Sequence, residues 1–278
     1  MMSTFPLGQW PVRRSGFGAM QLAGPWASRP PDRAGAIEVL QAAVEAGVNH
    51  IDTAQYYGPD LVNELIRDAL YPYQDGLAIV SKVAPWGSEH NPGLLRKGIE
   101  DNLRSLRVSQ LAAVNLRLPA PGPVDARFDD QLAVMAAAMD DGLIAGIGLS
   151  NISLEQLRHA RAGTEIVCVQ NLFHLADRTS ASVLDECVRR QIAFVPWCPL
   201  GLPRGPENPV LTSPVAAEVA ARLGVSAAQV ALAWLLQLAQ NVLLIPGTGS
   251  VAHLRDNLAA EDITLDEESL RELDRIAP

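Results

Sequence analysis

Three polar side chains near two predicted strand ends could together transfer a proton to a substrate. The β-rich run 48–52 ends with the acid Asp52, and Tyr57 follows five residues later. The run Ala78–Val83 carries Lys82 near its end, and Lys82 is one of two lysines beside 20 arginines. An ammonium group is a compact charge with an adjustable pKa, which a guanidinium is not. The alternative interpretation is a structural Asp–Lys ion pair at the rim of a sheet, with a tyrosine packing a loop.

The elements that must position these residues alternate along the chain. Short β-rich runs are separated by segments with apolar residues at three- and four-residue spacing, as at Ile37, Leu40 and Val44. Strands that alternate with helices of this length predict βαβ units and a parallel sheet. The predicted strands are 16–20, 48–52, 78–83, 111–116, 144–149, 166–169, 192–196 and 242–245.

The number of strands favours one closed barrel. Eight strands over about 235 residues match the size of an eightfold α/β barrel, so we expect a single (β/α)8 TIM barrel domain over residues 1–278. A doubly wound open sheet is the alternative, but no low-complexity linker divides the chain. Extra helices are expected near the C-terminus: one over 226–238, one capped by Ser250 and running to Asn257, and one opened by Asp266.

Composition and charge exclude several classes of protein. The net charge of −9 argues against a nucleic acid or an anionic membrane as a partner. The apolar runs are too short to span a bilayer, and the first ten residues predict no signal peptide. Three cysteines without a CxxC motif predict neither a disulfide framework nor a zinc site, and a cytoplasmic location is expected. No metal site is expected, and the sequence leaves the oligomeric state open.

A phosphate-binding segment is predicted near the end of the chain. The early Gly16-Phe17-Gly18 lacks the third glycine and the following helix of a dinucleotide-binding loop. Barrels instead bind phosphate on the loops after the last strands, at the N-terminus of a short extra helix. The segment Gly247-Thr248-Gly249-Ser250 has this form, because its glycines let backbone N–H groups approach an anion.

Several motifs in order along the chain resemble the aldo-keto reductase family. The first is His50-Ile51-Asp52-Thr53-Ala54 followed by Tyr56-Tyr57-Gly58. Others are Val-Ser-Lys at 80–82, Gly-Leu-Ser-Asn at 148–151, Val-Gln-Asn at 169–171 and Ile-Pro-Gly-Thr at 245–248. Finer features, at 18–25, 114–117 and 245–254, resemble the bacterial pyridoxal reductase branch of that family.

The resemblance implies NADPH-dependent reduction of an aldehyde by hydride transfer, with pyridoxal as the leading substrate. Negative charge develops on the carbonyl oxygen, and Tyr57 would protonate it. The Lys82 ammonium would lower the pKa of this tyrosine, while Asp52 would hold the lysine charged and oriented. The alternatives are a reductase of other aromatic or α-keto aldehydes, and a cofactor-sensing regulatory barrel with little turnover.

Arg117 stands where the family normally has a histidine on its fourth strand. An arginine cannot give up its proton at ordinary pH, but it supplies charged hydrogen-bond donors. We expect Arg117 and Lys82 to lie near the Tyr57 hydroxyl, where two cations would favour the phenolate and hold an oxygen-rich substrate. The alternative is an arginine at the barrel rim that pairs with an acid.

The resemblance also implies a binding site for the cofactor NADP(H). Its carboxamide would be held by Ser150, Asn151 and Gln170. Trp197 would stack on the nicotinamide, although it could also fill the core at the barrel mouth. The 2′-phosphate would meet Thr248, Ser250 and His253, with Arg255 nearby, which is a weaker set than a guanidinium clamp. The full expected set also contains Leu200 and Gly201 under the pyrophosphate, Asn257 at the adenine, and Gly18, Ile245 and Gly247.

Overall fold

The fold is built on parallel strands that follow one another in chain order. The computed structural model describes residues 4–24, 32–85, 91–202 and 208–277. Strands β3 to β9 form one sheet in the order of the chain, and β1 and β2 form a separate antiparallel hairpin. The strands are β1 (Thr4–Leu7), β2 (Trp10–Arg13), β3 (Phe17–Gly18), β4 (His50–Asp52), β5 (Ala78–Val83), β6 (Ala113–Arg117), β7 (Ile147–Ser150), β8 (Ile166–Gln170) and β9 (Ala193–Phe194).

Helices cover the outside of this sheet, and their starts follow local capping signals. Ser226 and Ser250 cap the helices that follow them, and Asp266 accepts a hydrogen bond from the Ser269 N–H, so the three predicted starts are confirmed. The helices are α1 (Arg33–Glu45), α2 (Leu61–Leu70), α3 (Pro92–Leu106), α4 (Ala126–Asp140), α5 (Leu154–Gly163), α6 (Ala181–Arg190), α7 (Pro214–Leu223), α8 (Ala227–Leu238), α9 (Val251–Ala259) and α10 (Glu267–Asp274).

The segment 242–245 closes the sheet between β9 and β3. Val242 bridges to Phe194 in β9, and Leu244 bridges to Ser15, just before β3. The Gly16 N–H donates to the Leu244 carbonyl at 2.8 Å, while the Leu244 N–H donates to the Arg14 carbonyl at 2.7 Å. The predicted eighth strand is therefore in place as a pair of bridges, and the expected (β/α)8 barrel is confirmed. The predicted strand 16–20 is shorter, because a 3-10 helix begins at Ala19.

The two faces of each strand serve different parts of the core. Ala78 and Val80 belong to the smaller apolar cluster, which fills the barrel, whereas Ile79 belongs to the larger cluster beneath the helices. Side chains alternate along a strand, so Lys82 faces the same way as Ala78 and Val80. The hairpin β1–β2, which was not predicted from the sequence, adds its apolar side chains to the smaller cluster and so covers one end of the barrel.

Helix α8 is buried along much of its length. Its Trp234 ring stacks against Phe173 at 6.1 Å between centroids, and the indole N–H donates to Asp274 at 3.0 Å. Among the described residues, no single helix is long and apolar enough to cross a membrane. Helices α7 and α8 reach the required length and apolar composition only when they are taken together, and a bend of 92° separates them.

Arg14 ties the end of α8 to the closing segment, and its loss should destabilise the barrel. Its buried guanidinium donates to the carbonyls of Leu236, Ala239 and Val242 at 2.5, 2.6 and 3.1 Å. Arg14→Met leaves these acceptors without their donor, so the free energy of unfolding should fall by about 3 kcal/mol or more. Urea denaturation measures this change. The exposed Arg127→Met in α4 is the control, expected to stay within about 0.5 kcal/mol. Equal losses in the two variants would contradict this role.

Candidate active site

A cavity of about 410 Å³ opens where the strands end. It brings together Asp52 from β4, Lys82 from β5 and Arg117 from β6, with Tyr57 from the loop after β4. Its volume lies in the usual range for small-molecule sites. Five further lining residues were not predicted as site residues, although most of them lie within the family motifs: Met20, Gln21, Tyr56, Pro199 and Pro246.

A buried ion pair joins β4 to β5 beside the cavity. Lys82 Nζ donates to Asp52 Oδ1 and, at 2.9 Å, to the carbonyl of Thr53. The second oxygen of Asp52 accepts from the side-chain amide of Gln170 in β8. The two charged side chains are 2% and 4% exposed, and a buried pair of this kind is tolerated because each charge is bonded. The ion pair of the alternative interpretation therefore exists, but it faces the cavity.

Tyr57 lies against this ion pair and keeps its proton. Lys82 Nζ is 5.2 Å from the centroid of the Tyr57 ring. Burial raises the pKa of Tyr57 well above its ordinary value, the charge of Asp52 raises it further, and Arg117 lowers it. Arg117 thus acts in the expected direction, but burial penalises the phenolate more than this cation favours it, so the pKa of Tyr57 lies above its ordinary value. Tyr57 is consequently protonated at neutral pH, as a proton donor must be.

Arg117 turns into the cavity from the end of β6. Its guanidinium lies over the Trp197 ring, 5.0 Å from the centroid, in a cation–π arrangement. One of its nitrogens donates to Ser150 Oγ at 3.0 Å. Arg117 forms no ion pair with any acid in the part of the chain that the structure describes. Within the described residues, the alternative interpretation of Arg117 as a rim residue paired with an acid is therefore wrong.

The predicted cofactor residues divide into those on the cavity wall and those behind it. Ser150 and Gln170 are fully buried behind the wall. Asn151 positions Trp197, since its Oδ1 accepts from the indole N–H at 3.0 Å while its amide donates to the Leu118 carbonyl. Gln170 Oε1 is buried and has no hydrogen-bond partner among the described residues. The predicted residues on the wall are Gly18, Trp197, Leu200, Gly201, Ile245 and Gly247.

Gly18 and Gly247 are required by a close approach of two backbone segments. A Cβ added at Gly18 would lie 2.4 Å from the Ile245 carbonyl oxygen, and one at Gly247 would lie 2.5 Å from the Gly18 oxygen. The approach brings β3 against the segment that follows the closing bridges. Both glycines thus shape the cavity wall by allowing this contact, whatever else they bind.

The predicted phosphate-binding residues lie beside the N-terminus of α9 and outside the cavity lining. Ser250 caps α9 by accepting from the His253 N–H, and Thr248 Oγ1 accepts from the Ser250 N–H at 3.1 Å. Thr248 and Asn257 are buried, whereas the His253 side chain is exposed. A capped helix N-terminus presents unpaired N–H groups and suits an anion. No three potential metal ligands are grouped together within the described ranges.

The barrel and its cavity are those of a known family. The sequence profile of the Aldo/keto reductase family matches residues 15–278, and this chain belongs to that family. A relative from Escherichia coli (strain K12), pyridoxine 4-dehydrogenase, is 47% identical over 99% of this chain and 98% of its own length. The resemblance seen in the sequence motifs is confirmed.

Solved structures give the same fold. An aldo/keto reductase from Klebsiella pneumoniae, crystallised with NADP and acetate, superposes with a TM-score of 0.84 at 27% identity. The superposition covers 99% of this chain and 95% of that one. A thermostable aldo-keto reductase in complex with the inhibitor epalrestat has a TM-score of 0.83 at 31% identity, covering 99% and 100% of the two chains.

Cys198, beside Trp197 in the cavity, reports on the electrostatics of the site. Burial raises the pKa of its thiol to about 11, while Arg117 and Lys82 lower it. Only a thiolate is alkylated, so iodoacetamide should modify Cys198 at pH 8 about 100-fold more slowly than a free cysteine. The rate should rise about tenfold per pH unit up to pH 11. Peptide mass spectrometry measures it.

The same measurement applied to variants tests whether Arg117 acts on this thiol. Arg117→Gln should slow alkylation further, because it removes a charge that lowers the pKa. Arg271→Gln, in α10, removes one surface charge and serves as the control. Fast alkylation of Cys198 at pH 8 in the unaltered protein would refute the expected burial of the thiol.

Proposed function

We propose that this chain is an NADPH-dependent aldehyde reductase, formed as one barrel domain over residues 1–278. Asp52, Tyr57, Lys82 and Arg117 are its catalytic set. The observation that carries the proposal is the buried Asp52–Lys82 pair against the Tyr57 ring inside the cavity. A buried lysine paired with an aspartate beside a protonated tyrosine suits proton donation to a substrate oxygen.

The residues around the cavity fit a nicotinamide dinucleotide. Gln170 Oε1 is a buried acceptor with no donor from any residue that the structure describes, and a carboxamide N–H would supply one. The half-buried Trp197 ring is held in place by Asn151 and offers a stacking surface. The N-terminus of α9 with Thr248, Ser250 and His253 would take phosphate, Leu200 and Gly201 would lie under the pyrophosphate, and Asn257 would contact the adenine. When bound, the dihydronicotinamide supplies the hydride.

The residues of this chain supply the proton and the stabilising charge. Tyr57 holds its proton on the phenol oxygen and donates it to the carbonyl oxygen as negative charge builds there. Lys82, kept charged and fixed by Asp52, opposes that negative charge from beside the tyrosine ring. Arg117 offers charged donors that a neutral histidine would not. In alcohol oxidation the same groups act in reverse, with the Tyr57 phenolate as the base.

Pyridoxal is the proposed substrate, reduced to pyridoxine. The support is the relative at 47% identity, which is named a pyridoxine 4-dehydrogenase. Pyridoxal carries a ring hydroxyl next to its aldehyde, so the Arg117 donors can hold one oxygen while Tyr57 protonates the other. The aromatic rings of Tyr56, Tyr57 and Trp197 on the cavity wall suit a flat ring. A panel of aromatic and α-keto aldehydes, assayed with NADPH and NADH, tests this choice.

The setting proposed for this activity is the cytoplasm. The cysteines Cys168, Cys187 and Cys198 are free thiols, as is usual in a reducing compartment. The partner is a small carbonyl compound. With a net charge of −9, neither a nucleic acid nor an anionic membrane is a suitable partner.

Removing the Tyr57 hydroxyl should abolish most of the chemistry and spare cofactor binding. Tyr57→Phe should lower kcat for pyridoxal reduction by about 100-fold or more, the range for a lost general acid, with the Kd for NADPH within about twofold. Steady-state NADPH oxidation and direct titration measure the two quantities. Tyr56→Phe, which removes the neighbouring hydroxyl, is the matched control and should keep the rate within about tenfold. Tight NADPH binding without turnover in the unaltered protein would favour the cofactor-sensing alternative instead.

Strengthening the proposed 2′-phosphate site should sharpen the cofactor preference. His253→Arg places a permanent, bidentate donor beside the N-terminus of α9, so the kcat/KM ratio for NADPH over NADH should rise about tenfold. His159→Arg, on the exposed face of α5, adds the same charge elsewhere and should leave the ratio unchanged. An equal change in both variants would mean that overall charge, not this site, sets the preference.

A further inference from the structure

The Arg117 side chain contacts two groups that, in the proposed function, bind the nicotinamide. Its guanidinium lies on the Trp197 ring, and its N–H donates to Ser150 Oγ. The proposed carboxamide and stacking sites use this same hydroxyl and this same ring. A bound nicotinamide must therefore share these groups with the guanidinium or displace it.

The backbone keeps Arg117 beside these groups even if its side chain moves. Arg117 pairs directly with Ser150 in the register of β6 and β7, and the Leu118 N–H donates to the Ser150 carbonyl at 2.9 Å. Trp197 is held in turn by Asn151. Because the side chain begins on the strand that adjoins Ser150, its charge stays close to any ring that stacks on Trp197.

The charge of Arg117 is not cancelled by the acid that faces the cavity. Asp52 is bonded to Lys82 and Gln170, and no described carboxylate forms an ion pair with Arg117. An arginine also stays protonated at every ordinary pH. The cavity thus presents a permanent positive charge next to the proposed nicotinamide site.

We propose that Arg117 makes this site select the reduced dinucleotide, so that NADPH binds more tightly than NADP⁺. The inference rests on the proposed function. The ring of NADP⁺ carries a positive charge that the ring of NADPH lacks, and two like charges repel strongly in a partly desolvated cavity. A neutral histidine at this position would impose no such penalty. The consequence is that NADP⁺ binds more weakly and competes poorly with NADPH.

The test compares the Kd of NADPH with the Kd of NADP⁺ by titration calorimetry, without substrate. The unaltered protein should bind NADP⁺ at least about tenfold more weakly, the scale of a screened contact between like charges. In Arg117→Gln, which removes the charge and keeps a polar side chain, the ratio of the two constants should fall about tenfold. Arg117→Lys keeps the charge and should keep most of the ratio. Arg271→Gln, which removes one charge from the surface of α10, should leave it unchanged.

Different outcomes separate the two proposals. If the unaltered protein binds neither dinucleotide, the proposed function fails and the inference fails with it. If both bind and the ratio is close to one, or is the same in Arg117→Gln, only the selection by Arg117 is overturned. A ratio close to one in the unaltered protein overturns the inference without any variant, so the inference can be refuted even if Arg117→Gln does not fold. A ratio that falls in Arg117→Gln and persists in Arg117→Lys and Arg271→Gln supports the inference.

Discussion

The buried ion pair between Asp52 and Lys82 is the interaction on which the site depends. Removing two charges from water is costly, and the pair is tolerated because the two groups bond to each other and each has a further hydrogen-bond partner. Lys82 reaches Asp52 and the Thr53 carbonyl, while Asp52 also accepts from Gln170. These bonds link β4, β5 and β8 across the barrel, so the same contacts that satisfy the charges hold the strands in their relative positions.

Closure of the barrel determines which residues meet in the cavity. Tyr57, Arg117 and Trp197 lie on three separate loops or strand ends and come together only because the parallel sheet curls until the segment 242–245 meets β3. Gly18 and Gly247 permit the last approach, since a side chain on either would strike a backbone oxygen. The positions of the reactive side chains in the cavity thus depend on backbone contacts that take no part in the reaction.

The cavity contains two cations, and only one of them is paired with an acid among the described residues. Lys82 is matched by Asp52, but Arg117 is held by a ring and a hydroxyl, neither of which carries charge. Burial raises the pKa of Tyr57, so the tyrosine stays protonated although the charge of Arg117 lowers that pKa. The arginine instead acts on whatever charged or polar group enters beside Trp197, which is why its effect is felt by both substrate and cofactor in the proposed reaction.

Local signals in the sequence determined much of the fold and the identity of the candidate residues. The caps at Ser226, Ser250 and Asp266 rest on hydrogen bonds that span three residues, and the strand ends at Asp52 and Lys82 follow from short apolar runs. The family motifs named the same residues. Such features depend on neighbours in the chain, so they can be predicted without knowing the tertiary structure.

Only the tertiary structure decided how these residues act on one another. Arg117 and Trp197 are 80 positions apart, and nothing local to either predicts that one lies over the other. The sequence predicted a neighbouring cation that lowers the pKa of Tyr57, but not the burial that outweighs it, because the depth of burial is a property of the closed barrel. The hairpin β1–β2 escaped prediction because its short strands are stabilised by packing against the interior cluster of the barrel. Contacts between distant segments and the exclusion of water arise when the sheet closes, which is the physical reason that the sequence alone does not reveal them.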